Sequence, residues 1–146
     1  MSATADHAEQ PSLAERLGFQ SGQVVQELGY DDDADQELRE GIEELTGNEL
    51  VDEDYDDVVD SVVLWFRDDD GDLTDALVDA GESLDDDGGN IWLFTPKTGR
   101  DGYIEPSDIG EAAKTAGLAQ TKTFNAGKDW SGCRLAAPKK AQAGKR

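Results

Sequence analysis

Two short apolar runs constrain the fold of this chain more than any other feature. They are residues 62–66 (VVLWF) and residues 91–94 (IWLF). Neither run shows the alternation of polar and apolar residues that is typical of a half-exposed strand. Continuous runs of β-branched and aromatic residues are typical of strands that are buried on both faces, as in the middle of a parallel sheet. The two runs are therefore predicted to form adjacent central parallel strands.

Two amphipathic helices accompany these strands. Residues 34–46 carry apolar side chains at helical spacing between Asp33, a candidate N-cap, and Gly47, a helix-ending glycine. Residues 73–84 repeat the pattern after a second candidate cap, Asp72. The first predicted helix precedes the strand at residues 62–66, and the second lies between that strand and the one at residues 91–94. This is the order expected of crossover units.

The remaining segments complete an α/β pattern. Residues 23–28 predict a first strand, and residues 106–117 predict a third long helix. Residues 120–125 and 133–137 predict a closing antiparallel strand pair. Strands that alternate with helices imply crossover connections. The predicted fold class is therefore α/β, a three-layer Rossmann-like sandwich whose sheet is mostly parallel and ends in a C-terminal antiparallel pair.

The chain is predicted to form one domain between two tails. Its 146 residues match the size of a single domain. Residues 1–11 are polar and have neither a basic start nor an apolar stretch, so they predict a disordered tail and no signal peptide. Residues 139–146 are basic and lack large apolar residues, which predicts a second disordered tail. The folded domain is expected to span residues 12–138.

Charge is the second constraint. The chain has 34 acidic and 13 basic residues, for a formal charge of −21. Residues 1–95 carry −26 of charge and residues 96–146 carry +5. Such a charge argues against nucleic acid and anionic membranes as partners. No apolar run approaches the roughly 18–20 residues that span a bilayer. The single cysteine, Cys133, fits a reducing compartment. We expect a cytoplasmic protein whose partner is another protein. A basic surface on that partner would complement the acidic surface of this chain.

The residues also exclude several chemistries. A nucleotide or S-adenosylmethionine site needs a glycine-rich turn after the first strand. Here Gly29 is followed by Tyr30 and Asp31. Zinc is not expected because the chain has one histidine, His7, and one cysteine. The aspartate-rich stretches do not align with a calcium loop. We therefore predict no cofactor and no metal site.

Candidate ligand-binding residues follow from position alone. Ligands of open parallel sheets bind in the crevice beyond the carboxyl ends of the strands. The cations at that edge could frame a site for a carboxylate or phosphate, that is, for a small anionic ligand. Alternatively, they pair with neighbouring aspartates; we favour this alternative for Arg67, and a packing role for Trp130. The candidate crevice comprises Tyr30, Asp31, Arg67, Lys97, Thr98, Arg100, Trp130 and Ser131.

Four stretches taken together are similar to those of a known family. They are QVVQELGYD at 23–31, VVLWFRDDDGDL at 62–73, IWLFTPKTGR at 91–100 and DWSG at 129–132. In this order they resemble a small family of uncharacterised actinobacterial proteins that is classed as a domain of unknown function. The resemblance covers about residues 12–138. It implies a shortened Rossmann-like fold, akin to that of methyltransferases but without their glycine motif, and it implies no activity or catalytic residue.

Three hypotheses about function remain open. The first is a non-enzymatic binding or regulatory module that acts through its acidic face or through the strand-end crevice. The second is an enzyme that uses a small anionic substrate near Lys97, Arg100 and Trp130. The third is an acidic surface that mimics nucleic acid and blocks a basic protein.

Overall fold

The computed structural model describes residues 13–82, 84, 89–126 and 129–137. The two predicted tails, residues 1–11 and 139–146, lie outside the described residues. The elements, in chain order, are α1 (Leu13–Leu17), β1 (Val25–Leu28), α2 (Gln36–Thr46), β2 (Ser61–Trp65), a 3₁₀ turn (Asp68–Asp70), α3 (Leu73–Glu82), β3 (Gly89–Pro96), α4 (Pro106–Thr115), β4 (Ala119–Ala126) and β5 (Trp130–Ala137).

Local signals set most helix ends. Gly47 ends α2 in the left-handed conformation, as predicted. The carboxylate of Asp72 accepts a hydrogen bond from the Thr74 amide at 2.9 Å, so the cap predicted for α3 is confirmed. The cap predicted at Asp33 is wrong, because α2 starts two residues later and Asp35 accepts the hydrogen bond from the Leu38 amide. Asp33 is engaged elsewhere, as described below.

The five strands form one mixed sheet in the order β1-β2-β3-β5-β4. Strands β1, β2 and β3 pair in parallel, whereas β3–β5 and β5–β4 pair antiparallel. The prediction that β2 and β3 are adjacent, internal and parallel is confirmed. Parallel pairing is confined to three strands, rather than extending over most of the sheet as predicted. The predicted closing antiparallel pair is present as β4 and β5, and β5 of this pair also joins the sheet antiparallel to β3.

The chain reverses its direction of travel across the sheet at β1. Val51 forms a single parallel bridge to Gln26 on the outer edge of β1. From Val51 the chain crosses through the loop at residues 52–60 and enters β2 on the other edge of β1. The boundary between β1 and β2 is therefore the topological switch point, where open α/β sheets bind their ligands.

Alternating side chains of β2 and β3 contribute to two hydrophobic cores. On one face of the sheet, which we call the α3–α4 face, the core includes Val62, Leu64, Leu77, Ile91 and Ile109. On the opposite face, the α2 face, the core includes Leu38, Ile42, Val63, Trp65 and Phe94. Burial of each such side chain stabilises the fold by about 1.5–3 kcal/mol. The unbroken apolar runs are thus explained by helices on both sides of these strands.

Candidate functional site

The switch point holds a shallow depression of about 350 Å³ at the carboxyl ends of β1 and β2. Three of the predicted crevice residues line it: Tyr30, Asp31 and Arg67. The Tyr30 hydroxyl accepts a hydrogen bond from Gln36 at 3.0 Å, and its ring lies 4.2 Å from the Arg39 guanidinium carbon. The depression therefore lies where a ligand is expected, and its contents decide whether a ligand can enter.

Arg67 occupies this depression with its own contacts. Its Nη1 donates to the Gly29 carbonyl at 2.8 Å and pairs with an Asp70 carboxylate oxygen at 3.2 Å. Its Nε and Nη2 both donate to the carboxylate of Asp33, which is a two-point ion pair. The guanidinium also lies 5.2 Å from the centre of the Trp130 ring. The pairing of Arg67 with aspartates, which we favoured from sequence, is confirmed, and the side chain is only 12% exposed.

These contacts stabilise the charged forms of Arg67 and Asp33. The hydrogen bonds from Arg67 lower the pKa of Asp33, against a smaller effect of burial. Burial of Arg67 acts to lower its own pKa, but the hydrogen bonds to Asp33 and Asp70 outweigh it, so the pKa of the guanidinium rises. The positive charge at the switch point is thus balanced within the chain.

Gly29 brings the two strand ends into backbone contact. Its φ of +77° lies in the left-handed region, and a Cβ at this position would lie 2.1 Å from the Trp65 carbonyl oxygen. The glycine therefore allows β1 to close against β2, rather than leaving room for a ligand. The sequence indicates no partner for Gly29, because no local pattern relates it to a residue 36 positions later.

A second ion pair supports the same strands. Glu27 is buried in β1, and its carboxylate accepts hydrogen bonds from Arg39 at 2.6 and 2.8 Å and from the Trp65 indole at 2.9 Å. The hydrogen bond with Glu27 raises the pKa of Arg39 against the effect of burial. The sequence does not predict this pair, and its only signal is a glutamate inside a predicted strand.

The other predicted residues surround the end of β3. Arg100 pairs with Asp129 at 3.1 Å, and both side chains are about half exposed. The Lys97 amide donates to the Asp129 carbonyl at 3.0 Å. Trp130 is 3% exposed, its indole nitrogen donates to the Asp33 carbonyl at 2.9 Å, and it packs edge-on against Trp65. The packing role that we favoured for Trp130 is confirmed.

The eight predicted residues do not form one site. Thr98 and Ser131 line a separate cavity of about 460 Å³ on the α3–α4 face, beside α4. Cys133 also lines it, and burial raises the pKa of this thiol, an effect that a hydrogen bond from Gln120 only partly offsets. Because the fourteen described residues that line this cavity include no charged side chain, we call it the neutral cavity.

A groove of about 650 Å³ lies on the same face, between the loop at residues 52–60 and α3. The nine residues of this connection are too few for a helical crossover, so only a loop covers β1 here. Leu28 and Leu64 lie among the apolar residues of the groove. We call it the acidic groove because five of its lining residues are acidic: Glu53, Asp56, Asp57, Asp79 and Glu82.

The described residues hold no group of three or more potential ligands arranged to bind a metal ion. Among the described helices, none is both long enough and apolar enough to cross a membrane.

Comparison with known sequences identifies relatives. A family model described as "Protein of unknown function (DUF3052)" matches residues 14–139. Uncharacterized proteins of Mycobacterium bovis and Mycobacterium tuberculosis are 52% identical to this chain over 142 residues, which is 97% of this chain and 87% of theirs. These matches agree with the actinobacterial family that the sequence motifs indicated.

Comparison with solved structures identifies a fold. The pyocyanin biosynthetic protein PhzM has a TM-score of 0.64 and 12% identity, covering 86% of this chain and 53% of PhzM. The O-methyltransferase NcsB1 of neocarzinostatin biosynthesis has a TM-score of 0.63 and 14% identity, covering 93% of this chain and 56% of NcsB1. A methyltransferase from Pyrococcus furiosus has a TM-score of 0.52 and 12% identity, covering 86% of this chain and 80% of the methyltransferase. The chain thus spans about half the length of the first two, and the likeness shows a methyltransferase-like α/β fold alone.

Proposed function

The chain belongs to the DUF3052 family, and from its geometry we propose that it is a non-enzymatic binding module of the cytoplasm. It receives a basic segment of a partner protein in the acidic groove. The observation that carries this proposal is the lining of the groove, which combines five carboxylates with apolar side chains and includes no basic residue among its eleven described members.

The shape and chemistry of the groove match a lysine or arginine side chain. Leu28 and Leu64 offer apolar surface to the alkyl stem, while the carboxylates face the charged head group. Val58, which also lines the groove, is 56% exposed and provides further apolar contact area. The surrounding field of residues 1–95, with a formal charge of −26, attracts a basic partner from a distance and speeds its association.

The contacts of the cations favour this proposal over an enzyme that uses a small anionic substrate. Arg67 is already paired with Asp33 and Asp70, and Arg100 is paired with Asp129. Trp130 is buried in the α2 face core and offers no stacking surface. A cofactor at the switch point would have to displace Arg67 and separate Gly29 from Trp65, so the proposed module works without S-adenosylmethionine or a nucleotide.

The same proposal includes the finer architecture. A single domain over residues 12–138, built as a three-layer Rossmann-like sandwich, supplies a rigid frame for the groove. Two hydrophobic cores, one with α2 and one with α3 and α4, support this arrangement. The groove then lies on the outer side of one layer, at the edge of the sheet that only a loop covers.

Fluorescence anisotropy with a labelled peptide that alternates lysine and serine tests the groove. The triple variant Asp56→Asn, Asp57→Asn, Asp79→Asn removes three groove charges. The matched control is Glu37→Gln, Glu40→Gln, Glu44→Gln, on the exposed side of α2. Both variants change the formal charge from −21 to −18, so any general attraction falls equally. Exposed ion pairs contribute about 0.2–1 kcal/mol each, so we expect the groove variant to bind about tenfold more weakly.

The control variant should retain affinity within about twofold of the unmodified chain, since a few tenths of a kcal/mol correspond to that factor. Equal losses in the two variants would mean that only net charge attracts the peptide. The proposal that the peptide binds in the acidic groove would then be wrong.

A further inference from the structure

A hydrogen-bond donor without a partner lies in the core of the α2 face. Trp92 of β3 is 4% exposed, and its indole Nε1 is buried without a hydrogen-bond partner. It is the only such side-chain atom among the residues that the structure describes. The other two tryptophans, Trp65 and Trp130, each donate an indole hydrogen bond at 2.9 Å. Almost all buried polar groups in folded proteins have a partner, so the Trp92 nitrogen calls for an acceptor.

Two cations continue from Trp92 across the sheet. Trp92 is the register partner of Arg134 of β5, which is in turn the register partner of Lys122 of β4. Register partners lie on the same face of a sheet, and Phe124, two residues from Lys122, packs against the core of the α2 face. We call Trp92, Arg134 and Lys122 the donor row, because each side chain carries N–H donors and no acceptor.

The cations of the donor row have no carboxylate partner within the described part of the chain. The Arg134 Nε donates to the side-chain oxygen of Asn90 at 3.1 Å, and the guanidinium carbon lies 5.8 Å from the centre of the Trp92 ring. No described carboxylate forms an ion pair with Arg134 or Lys122, although the chain has 34 acidic and 13 basic residues. Arg134 is partly exposed and Lys122 is exposed, so an anion reaches both from solvent.

Aromatic rings border the donor row. The Phe124 ring lies over Gly132, where an added Cβ would be 2.3 Å from it, and its centre is 6.1 Å from that of Trp92. The ring centre of Phe19, which follows α1, lies 5.6 Å from that of Trp92. Unpaired donors beside aromatic rings suit a ligand that joins an acceptor-rich anionic group to an aromatic body.

Phe19 is the side chain whose movement would admit an acceptor to the Trp92 nitrogen. It lies in the turn between Gly18 and Gly22, whose φ angles of +92° and +89° are in the left-handed region. No atom lies within 4 Å of a Cβ added at either glycine. Such positions absorb backbone rotation at little cost. Rotation of this turn would move the Phe19 ring away from Trp92 without disturbing a strand.

We propose that the donor row binds a small aromatic carboxylate. The carboxylate accepts hydrogen bonds from the Trp92 indole and the Arg134 guanidinium, Lys122 adds a second positive charge, and the aromatic body packs between Phe19 and Phe124. This site goes beyond the proposed binding of a basic partner, because it lies on the opposite face of the sheet from the acidic groove. It also differs from the anion site predicted from sequence at the end of β3.

The indole N–H signals of the ¹⁵N-labelled full chain test the proposal, with benzoate as the probe in about 0.15 M salt. We expect benzoate to move the Trp92 indole proton downfield, as a new hydrogen bond does, with a Kd of about 1 mM. The indole signals of Trp65 and Trp130 are internal controls, because both groups already donate hydrogen bonds. Benzamide lacks the charge and acetate lacks the ring, so each should bind about tenfold more weakly.

Substitution of the cations tests the rest of the row. Arg134→Gln should weaken benzoate binding about tenfold and Lys122→Gln about threefold. Arg100→Gln makes the same change in formal charge, from −21 to −22, at the ion pair with Asp129, and should stay within about twofold. Because Lys122 is exposed, its variant keeps the test available if Arg134→Gln does not fold.

Three results would overturn the proposal. The first is a Trp92 indole signal that stays in place at saturating benzoate. The second is equal binding of benzamide or acetate, which would remove the role of the charge or of the ring. The third is an equal loss of affinity in all three variants, which would mean that net charge alone attracts the probe.

Discussion

The switch-point depression and the neutral cavity lie at the same edge of one sheet but differ in what occupies them. At the switch point, Arg67 hydrogen-bonds to Gly29, Asp33 and Asp70, and the backbones of β1 and β2 meet. In the neutral cavity, the described lining residues include no charged side chain and leave a volume of about 460 Å³. The carboxyl edge of a parallel sheet thus offers a location for a ligand, while the side chains at each strand end decide whether the location is used for stability or stays accessible.

The contact between Gly29 and Trp65 should give the largest effect of any single change at this edge. Gly29→Ala combines left-handed strain with an overlap against the Trp65 carbonyl oxygen. We expect it to lower the free energy of unfolding by about 3–4 kcal/mol, measured by urea denaturation. Gly99→Ala is the control, because Gly99 has φ +91° but no atom within 4 Å of the added Cβ. Strain alone should cost it about 1 kcal/mol, and equal losses would show that the strand contact is unimportant.

The ion pairs of Arg67 should rank second. Arg67→Met removes two ion pairs, in which Arg67 is largely buried but Asp33 and Asp70 are exposed, together with the hydrogen bond to Gly29. We expect a loss of about 2 kcal/mol. The matched change at the end of β3 is Arg100→Met, which removes one half-exposed pair with Asp129. It should cost less than about 0.5 kcal/mol. If the two variants unfold at the same urea concentration, the Arg67 contacts do not stabilise the switch point.

The switch point should also depend on pH. Because Arg67 lowers the pKa of Asp33 in the folded state, the Asp33 carboxylate contributes stability that is present above its unfolded pKa of about 3.9. That contribution is lost as the pH falls through the lower folded value. Asp33→Asn should therefore be less stable than the unmodified chain at pH 6, with the difference shrinking below about pH 4. Asp32→Asn, an equal charge change at the exposed neighbour, is the control. A difference that persists unchanged at low pH would contradict the ion pair.

The smallest effect concerns the neutral cavity, where we expect a slow reaction of the buried Cys133 thiol rather than a change in stability. Since burial raises the pKa of this thiol, little thiolate is present near pH 8. Iodoacetamide should therefore alkylate the folded chain about tenfold more slowly than the urea-unfolded chain. The rate for the folded chain should continue to rise with pH beyond the range in which the unfolded rate levels off. Mass spectrometry measures both alkylation rates. Equal rates for the folded and unfolded chains would mean that the thiol is not buried.

Patterns within about a dozen residues predicted the elements of the fold. Residues 62–66 and 91–94 revealed the central parallel strands, because a strand with helices on both faces must be apolar throughout. Asp72 and Gly47 marked helix ends, since capping depends on the nearest few amides and carbonyls. The exception was Asp33, which is as good a cap by sequence as Asp35 but pairs with Arg67.

The contents of the candidate site depended on contacts between distant parts of the chain. The Arg67–Asp33 pair joins residues 34 positions apart, and the Trp130 indole reaches the Asp33 carbonyl across 97 positions. Their positions in the sequence predict that these residues lie at one edge of the sheet, but do not divide them between two depressions. Side-chain type and local spacing thus determined which segments are strands and helices, because helix and strand periodicities are local. Only the tertiary structure decided which partners meet, because strand order and register bring together residues that no local pattern relates.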